Sequence, residues 1–289
     1  MRDTLIIGGG PAGLTAALYA ARAGRDVLLL EKSMAGGQMS MTSRIENYPG
    51  FADGVDGAEL CMAMEAQATR AGAEIRYESA LQIDCAGKRV QTPSGWIAGK
   101  SLILALGAKP RKLSVPGEER LIGHGISFCA TCDGALYRGK RVAVIGGGNS
   151  AAEEALYLAG LGCEVLLIHR RDTLRAEQSV AALAMENAGI TILWNCQVSS
   201  FEGDRRLSGV SLQHGRVEAV SAAFIAIGRI PDTELIRGQL DLDGNGFIVA
   251  GEDCYTNMPN VFAAGDARTK PLRQIATAVA DGAVAVSRV

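Results

Sequence analysis

A short apolar strand that runs directly into a glycine loop and then into an alanine-rich helix occurs twice in this chain of 289 residues. That repetition limits the folds open to it. In the first copy Asp3-Thr4-Leu5-Ile6-Ile7 precedes Gly8-Gly9-Gly10-Pro11-Ala12-Gly13, and Leu14 to Ala23 reads as a helix. In the second, Val142 to Ile145 precedes Gly146-Gly147-Gly148-Asn149-Ser150-Ala151 and a helix reaching Leu161. The spacing is GxGxxG, then GxGxxA. Its first glycine permits a tight turn, its second lets the backbone approach a pyrophosphate, and its third small residue lets helix and strand pack closely. Each copy also closes alike, with Ala105-Leu106-Gly107-Ala108-Lys109-Pro110 and Ala226-Ile227-Gly228-Arg229-Ile230-Pro231. The pattern reads as an internal duplication with one dinucleotide per copy.

The tail offers a buried strand, Val261 to Ala264, ending in Gly265-Asp266, and a helix from Gln274 to Val289. Neither forms a nucleotide fold alone, so the tail returns to complete the first copy. The expected fold is α/β, with two Rossmann-like, three-layer ββα dinucleotide-binding domains, the second inserted in the first. Residues 1–110 and 231–289 form one domain, and residues 111–230 the other.

The two copies differ where the second strand ends. Glu31 stands 18 residues after Gly13, where an acid accepts hydrogen bonds from the hydroxyls of an adenosine ribose and repels a 2′-phosphate. The same position after Ala151 is His169, followed by Arg170, Arg171 and Arg175. Cations in place of a carboxylate are what a 2′-phosphate requires, so the second site reads as one for NADPH.

Between the copies lies Cys129-Ala130-Thr131-Cys132-Asp133-Gly134. Two thiols one helical turn apart can close a small disulfide that opens easily, which beside a nucleotide unit reads as electron transfer. A structural zinc site would need four ligands, and there is no second CxxC, while His124, His169 and His214 are scattered without ligand spacing. A purely structural disulfide over so short a loop would constrain the unfolded chain little. The remaining cysteines, Cys61, Cys85, Cys163, Cys196 and Cys254, are dispersed and read as reduced thiols. Asp241, Asp243, Asn245, Gly246 and Glu252 match a calcium-loop pattern, but Gly246 to Val249 reads as a strand where that loop needs a helix, so no metal is expected.

Composition narrows the partners. The formal net charge of −2 gives no general attraction to nucleic acid or to an anionic membrane. No apolar run approaches the roughly 20 residues of a membrane helix, and the first strand begins almost at Met1, so the expected location is cytoplasmic.

Taken together, Gly8 to Gly13, Gly36-Gly37-Gln38, Cys129 to Asp133, Gly146 to Ala151, His169-Arg170-Arg171, Gly265-Asp266 and Arg273-Gln274 occur in order across nearly the whole chain. In this the chain resembles the low-molecular-weight bacterial thioredoxin reductases. The resemblance implies FAD on Gly8, Gly10, Pro11, Ala12, Gly13, Glu31, Gly37, Gln38, Asn47, Gly265, Asp266, Arg273, Gln274 and Ile275. It implies NADPH on Gly146, Gly148, Asn149, Ser150, Ala151, His169, Arg170, Arg171 and Arg175. Cys132 would face the flavin, Cys129 would attack the substrate disulfide, and Asp133 would protonate the departing thiolate. Thioredoxin or a thioredoxin-like protein is the implied partner, and a homodimer the implied assembly. Electrons would pass from NADPH to FAD, then to the Cys129–Cys132 disulfide. Since disulfide and nicotinamide must each reach one flavin, the linkers near Lys109-Pro110 and Ile230-Pro231 are expected to act as hinges.

Two features depart from the family. Ala135 and Leu136 stand where relatives often carry aromatic residues used in docking, and the chain stops at Val289, short of many relatives. Three other readings stay open: a flavin dithiol oxidase that uses oxygen, a reductase of a redox protein other than thioredoxin, and a flavoprotein that only binds or senses. The oxidase has no use for the arginine cluster, and the sensor has none for the cysteines.

Overall fold

Leu5-Ile6-Ile7, Val27 to Leu30 and Leu102 to Leu104 are apolar without interruption, as strands covered on both faces must be. The structure, a computed structural model, describes residues 1–42 and 44–289. The chain divides into two units, Met1–Lys109 with Ile230–Val289 (unit 1) and Pro110–Arg229 (unit 2). Each crossing falls one residue before the boundary read from the sequence.

The chain opens with β1 (Arg2–Ile7), α1 (Pro11–Arg22), β2 (Val27–Glu31), α2 (Gly57–Arg70) and β3 (Glu74–Tyr77). Next come β4 (Gln82–Asp84), β5 (Arg89–Thr92), β6 (Gly95–Leu104) and β7 (Ala108–Pro110). Unit 2 supplies α3 (Glu118–Leu121), β8 (Ile126–Ser127), α4 (Ala130–Asp133), β9 (Arg141–Gly146), α5 (Asn149–Gly160) and β10 (Glu164–Ile168). It continues with α6 (Gln178–Glu186), β11 (Ile190–Leu193), β12 (Val198–Glu202), β13 (Gly209–Leu212), β14 (Val217–Ala219) and β15 (Ala222–Ala226). The return adds β16 (Arg229–Pro231), β17 (Val261–Ala263) and α7 (Ile275–Ser287).

In unit 1 the strand order is β3-β2-β1-β6-β5-β4, and β17 pairs with the end of β6 in parallel. Alternate residues of the sheet serve its two faces. Ile6, Leu29 and Ile103 pack with Leu14, Ala16 and Ala17 of α1 and with Ala278 and Ala285 of α7. Leu5, Leu28, Leu102 and Leu104 pack on the other side with Ile83, Val90, Ile236 and Ile248. Every one of those leucines is fully buried, and each such side chain stabilises the fold by about 1.5–3 kcal/mol. The contact between α1 and α7 is close because Gly282 lacks a side chain, since a Cβ there would lie 2.3 Å from the Ala12 carbonyl oxygen.

Unit 2 repeats the plan. Its sheet runs β11-β10-β9-β15-β8, all parallel, with a separate antiparallel sheet β12-β13-β14. Val144, Leu167 and Phe224 face Ala151, Ala152, Ala155 and Leu158 of α5, whereas Ile145, Leu166 and Ile225 face Phe201, Val210 and Leu212. Each unit is therefore a three-layer ββα sandwich, the form expected from the sequence.

Among the described residues no α-helix flanks the calcium-like segment. Its Asp243 carboxylate accepts hydrogen bonds from the amides of Asn245 (2.8 Å) and Phe247 (2.9 Å) in its own turn, and Glu252 pairs with Arg268. Among the described residues no helix is long and apolar enough to cross a membrane.

Candidate functional site

Three features that carry chemistry were read from the sequence, and the structure builds each on the end of a parallel strand. The Cys pair follows β8. Cys129 is extended and caps the single turn α4, which brings Cys129 and Cys132 to a Cα–Cα distance of 5.3 Å, joined as a disulfide. Both are half-buried, and Ala130 between them is fully buried against α5. Ser127 anchors the turn: its hydroxyl donates to Asp133 Oδ2 at 2.6 Å and accepts from the Cys129 amide at 3.1 Å. Burial pushes the Asp133 carboxyl above the usual carboxylate range, against the opposing effect of the Ser127 hydroxyl. Asp133, adjacent to Cys132 in the chain, therefore holds a proton more readily than an exposed aspartate does. Three of the other thiols are unlike this pair, for burial pushes Cys61, Cys85 and Cys254 up to about 11, which keeps them protonated and unreactive.

In unit 1 the loop after β1 shows why glycine is needed at two positions. Gly8 sits at φ +104 with its missing Cβ only 2.3 Å from the Ala105 carbonyl oxygen, and a Cβ on Gly13 would lie 1.8 Å from the Gly8 carbonyl oxygen. Gly10 is different, since nothing lies within 4 Å of where its Cβ would be. Pro11 opens α1 and Ala12 is buried beneath it. No side chain caps that helix, in contrast to α2, where Asp56 accepts from the amides of Ala58 and Glu59. Glu31 ends β2 and accepts from the Gly9 amide at 2.7 Å and the Ser33 amide at 3.2 Å.

The remaining residues read as flavin ligands lie along other edges of unit 1. Gly37 and Gln38 begin the turn that follows β2, and the Gln38 side-chain amide donates to the Ala108 carbonyl. Asn47 donates to the Gln274 side chain at 3.1 Å, so two residues far apart in sequence meet. Gln274 caps α7 in a reciprocal arrangement with Thr277, and Ile275 is its first helical residue. Gly265, at φ +77, starts the turn that carries Asp266, with its missing Cβ 3.0 Å from Ala12. Arg273 lies over the Phe247 ring at 4.1 Å and donates to the Asp266 carbonyl.

The loop of unit 2 is built the same way. A Cβ on Gly146 would lie 2.4 Å from the Ala226 carbonyl oxygen, whereas Gly148 has open space. Again no side chain caps the helix, α5. Asn149 bridges to Glu177, accepting from its amide at 2.7 Å; Ser150 is exposed and Ala151 buried. Arg170, Arg171 and Arg175 are exposed, and the Arg175 amide ties that segment to the Gly147 carbonyl at 2.6 Å. His169 does not share their environment. It is 4% exposed, its Nε2 donates to the Thr173 carbonyl at 2.9 Å, and burial lowers its pKa, so it stands as a neutral ring under the loop.

These features fit dinucleotides. In both units the middle glycine leaves an open approach and the helix amides have no side-chain cap. The sequence profile of the pyridine nucleotide-disulphide oxidoreductases matches residues 2–282. The chain belongs to that family. A thioredoxin reductase of Mycolicibacterium smegmatis is 43% identical and is aligned over 99% of this chain and 94% of that protein. A bifunctional thioredoxin reductase/thioredoxin of Mycobacterium leprae is 41% identical, with 99% of this chain matched to 64% of that protein. The crystal structure of thioredoxin reductase from Streptococcus pyogenes MGAS5005 aligns with a TM-score of 0.91 at 41% identity, covering 99% of this chain and 96% of that one. Family membership implies a flavin and a nicotinamide nucleotide as cofactors.

Sequence reasoning missed Ser127, Asp281 and Glu154. Asp281 is buried in α7 and accepts from the Gly265 amide at 2.8 Å, from Arg268 through two bonds, and from Lys270. It thereby fixes the turn that carries Asp266 to the helix that starts at Ile275. Glu154 left a partial signal, an acid on the helical face of Ala151 and Leu158, but nothing in the sequence showed the turn it meets. Ser127 left no such signal. Among the described residues no cluster of His, Cys, Asp and Glu could hold a metal, and the His214 side chain lies outside those residues.

Proposed function

We propose that this chain is an NADPH-dependent thioredoxin-disulfide reductase, with FAD on unit 1, NADPH on unit 2, and Cys129–Cys132 as the exit for electrons. One observation carries the reading: a single unit holds both an exposed arginine cluster beside a phosphate loop and a disulfide with a protonatable acid next to it. The full-length relatives named thioredoxin reductase support thioredoxin as the acceptor. The same proposal takes the protein to be a cytoplasmic homodimer.

Bound FAD would supply the two-electron step that links nicotinamide to disulfide. The chain's own residues bind, select and handle protons. Gly10 and Gly148 admit the pyrophosphates, and the uncapped amides of α1 and α5 hold their charge. Glu31, with one amide on each carboxylate oxygen, keeps lone pairs free for ribose hydroxyls. Arg170, Arg171 and Arg175 pair with a 2′-phosphate. Asn47, Gln274 and Ile275 line the start of α7, where the helix dipole favours negative charge. Cys132 takes up the electrons, Cys129 attacks the substrate disulfide, and Asp133 gives its proton to the leaving thiolate. Exposed Ala135 and Leu136 sit beside the turn as its docking rim.

An anaerobic absorbance titration tests this. NADPH should bleach the flavin, and oxidised thioredoxin should restore its colour. Cys129→Ser and Cys132→Ser should each keep the first step and lose the second. Recovery of colour by oxygen alone, with no response to thioredoxin, would instead assign the oxidase reading.

A further inference from the structure

Glu154 lies in α5 directly beneath the redox turn. α5 packs on that turn, with the Glu154 carboxyl near the amide of Ala130, the first residue after Cys129, while Oε2 is buried with no hydrogen-bond partner among the described residues. A buried carboxylate oxygen left without a donor is costly, so proteins seldom retain one without a use. Burial pushes this carboxyl up to about 7, against the opposing effects of Arg229 and the Ala130 amide, and Glu153 acts in the same direction as burial. The redox turn itself contributes Cys129, Cys132 and Asp133. The other elements packed on α5, which are α6, β9, β10, β11 and β15, present apolar residues such as Ala184, Val144, Leu167 and Phe224.

We propose that Glu154 is a positioning residue for the dithiol, whose proton is exchanged in step with the charge on Cys129 and Cys132. The inference rests on the redox reading of the Cys pair. Reduction breaks the S–S bond with two electrons, from the flavin in turnover or from dithiothreitol in a test tube, and two protons complete the two thiols. When one thiol ionises to become the nucleophile, its proton is released beside Glu154. A charged Glu154 disfavours that thiolate, and a neutral one does not. By reciprocity the thiolate strengthens the hold of Glu154 on a proton, so the proton passes to the carboxyl and the turn's net charge changes little. The nucleophile is thus available near neutral pH without a second negative charge buried below it.

The test uses the holoenzyme reduced with dithiothreitol, freed of reductant, and alkylated with iodoacetamide between about pH 5 and 9, with rates at Cys129 and Cys132 followed by mass spectrometry. Below about pH 7 the unmutated protein and Glu154→Gln should react alike; above it the variant should react about three- to tenfold faster, as loss of a neighbouring like charge predicts. Glu154→Asp should restore the break in the profile. Profiles that superpose, or differ by a constant factor at every pH, would overturn the inference and leave the redox reading intact. Alkylation that does not depend on dithiothreitol would overturn both. If Glu154→Gln fails to retain flavin, the unmutated protein decides the matter. Its reduced-minus-oxidised infrared spectrum should gain a protonated-carboxyl band that persists in Asp133→Asn, and absence of that band would refute the proposal.

Discussion

The loops after β1 and β9 share one backbone plan and differ in what stands over it. In unit 1 Glu31 lies against Gly9, partly exposed, and accepts from its amide. In unit 2 the matching His169 ring fills the space over Gly147, where a Cβ would come within 2.2 Å of it, and the cations begin one residue later. In the proposed reading, selection for a phosphate is then more than a swap of acid for base at one position. A neutral, buried ring supports the loop from below, and the charge is moved to the exposed Arg170 and Arg171. The third loop position differs as well. Gly8 at φ +104 aims its carbonyl where a Gly13 side chain would be, whereas Gly146 at φ +156 leaves room for the Ala151 methyl.

The two loops should differ most at that third position. Gly13→Ala forces a methyl against the Gly8 carbonyl and should cost about 3 kcal/mol or more, seen as loss of bound flavin and a lower Tm. Ala151→Gly, the matching change in unit 2, should cost only about 1 kcal/mol. Equal effects would mean that the two loops do not differ as described. Next in size, Arg170→Ala with Arg171→Ala should remove about 1.5–3 kcal/mol per phosphate contact. Steady-state assays would show this as a raised KM for NADPH and little change with NADH; an undiminished preference for NADPH would remove these residues from the phosphate site. Smaller still, Glu31→Gln keeps an acceptor for the Gly9 amide and loses only the charge. FAD affinity, measured by flavin fluorescence, should fall by about 1 kcal/mol, since charged hydrogen bonds exceed neutral ones by that order.

Most of the fold was legible because two periodic signals coincided in each copy: uninterrupted apolar strands such as Leu28-Leu29-Leu30, and glycines whose spacing sterics demand. The CxxC turn was legible for the same reason, as adjacent residues fix its geometry. What was not legible depends on side chains that meet only in three dimensions. Ser127 under Asp133, Asp281 under Gly265 and Glu154 under Ala130 are separated from their partners by a crossover or a loop. His169 was legible in position but not in state. Its sequence neighbours are cations, so it reads as one of them, whereas the register of β10 turns it inward and Arg170 outward.

The state of His169 separates the two loops by the smallest effect. Its pKa is lowered in the folded protein, chiefly by burial, from an unfolded value of about 6.5. Between those two values the unfolded chain binds the proton and the folded chain does not, so stability is fully present above about pH 6.5 and is lost as pH falls toward the folded value. Glu154 and Asp133 act with the opposite sign in the same unit, because their raised values favour the folded state on the acid side. The slope of Tm with pH in the unmutated protein is therefore a sum. Subtracting it from the slope of His169→Gln isolates the histidine, and this difference is insensitive to any uniform packing loss in the variant. The variant should lose less Tm on acidification below about pH 6.5 than the unmutated protein does. If it instead loses more, His169 gains its proton on folding, becomes a cation alongside Arg170 and Arg171, and the contrast between the two loops reduces to acid against base.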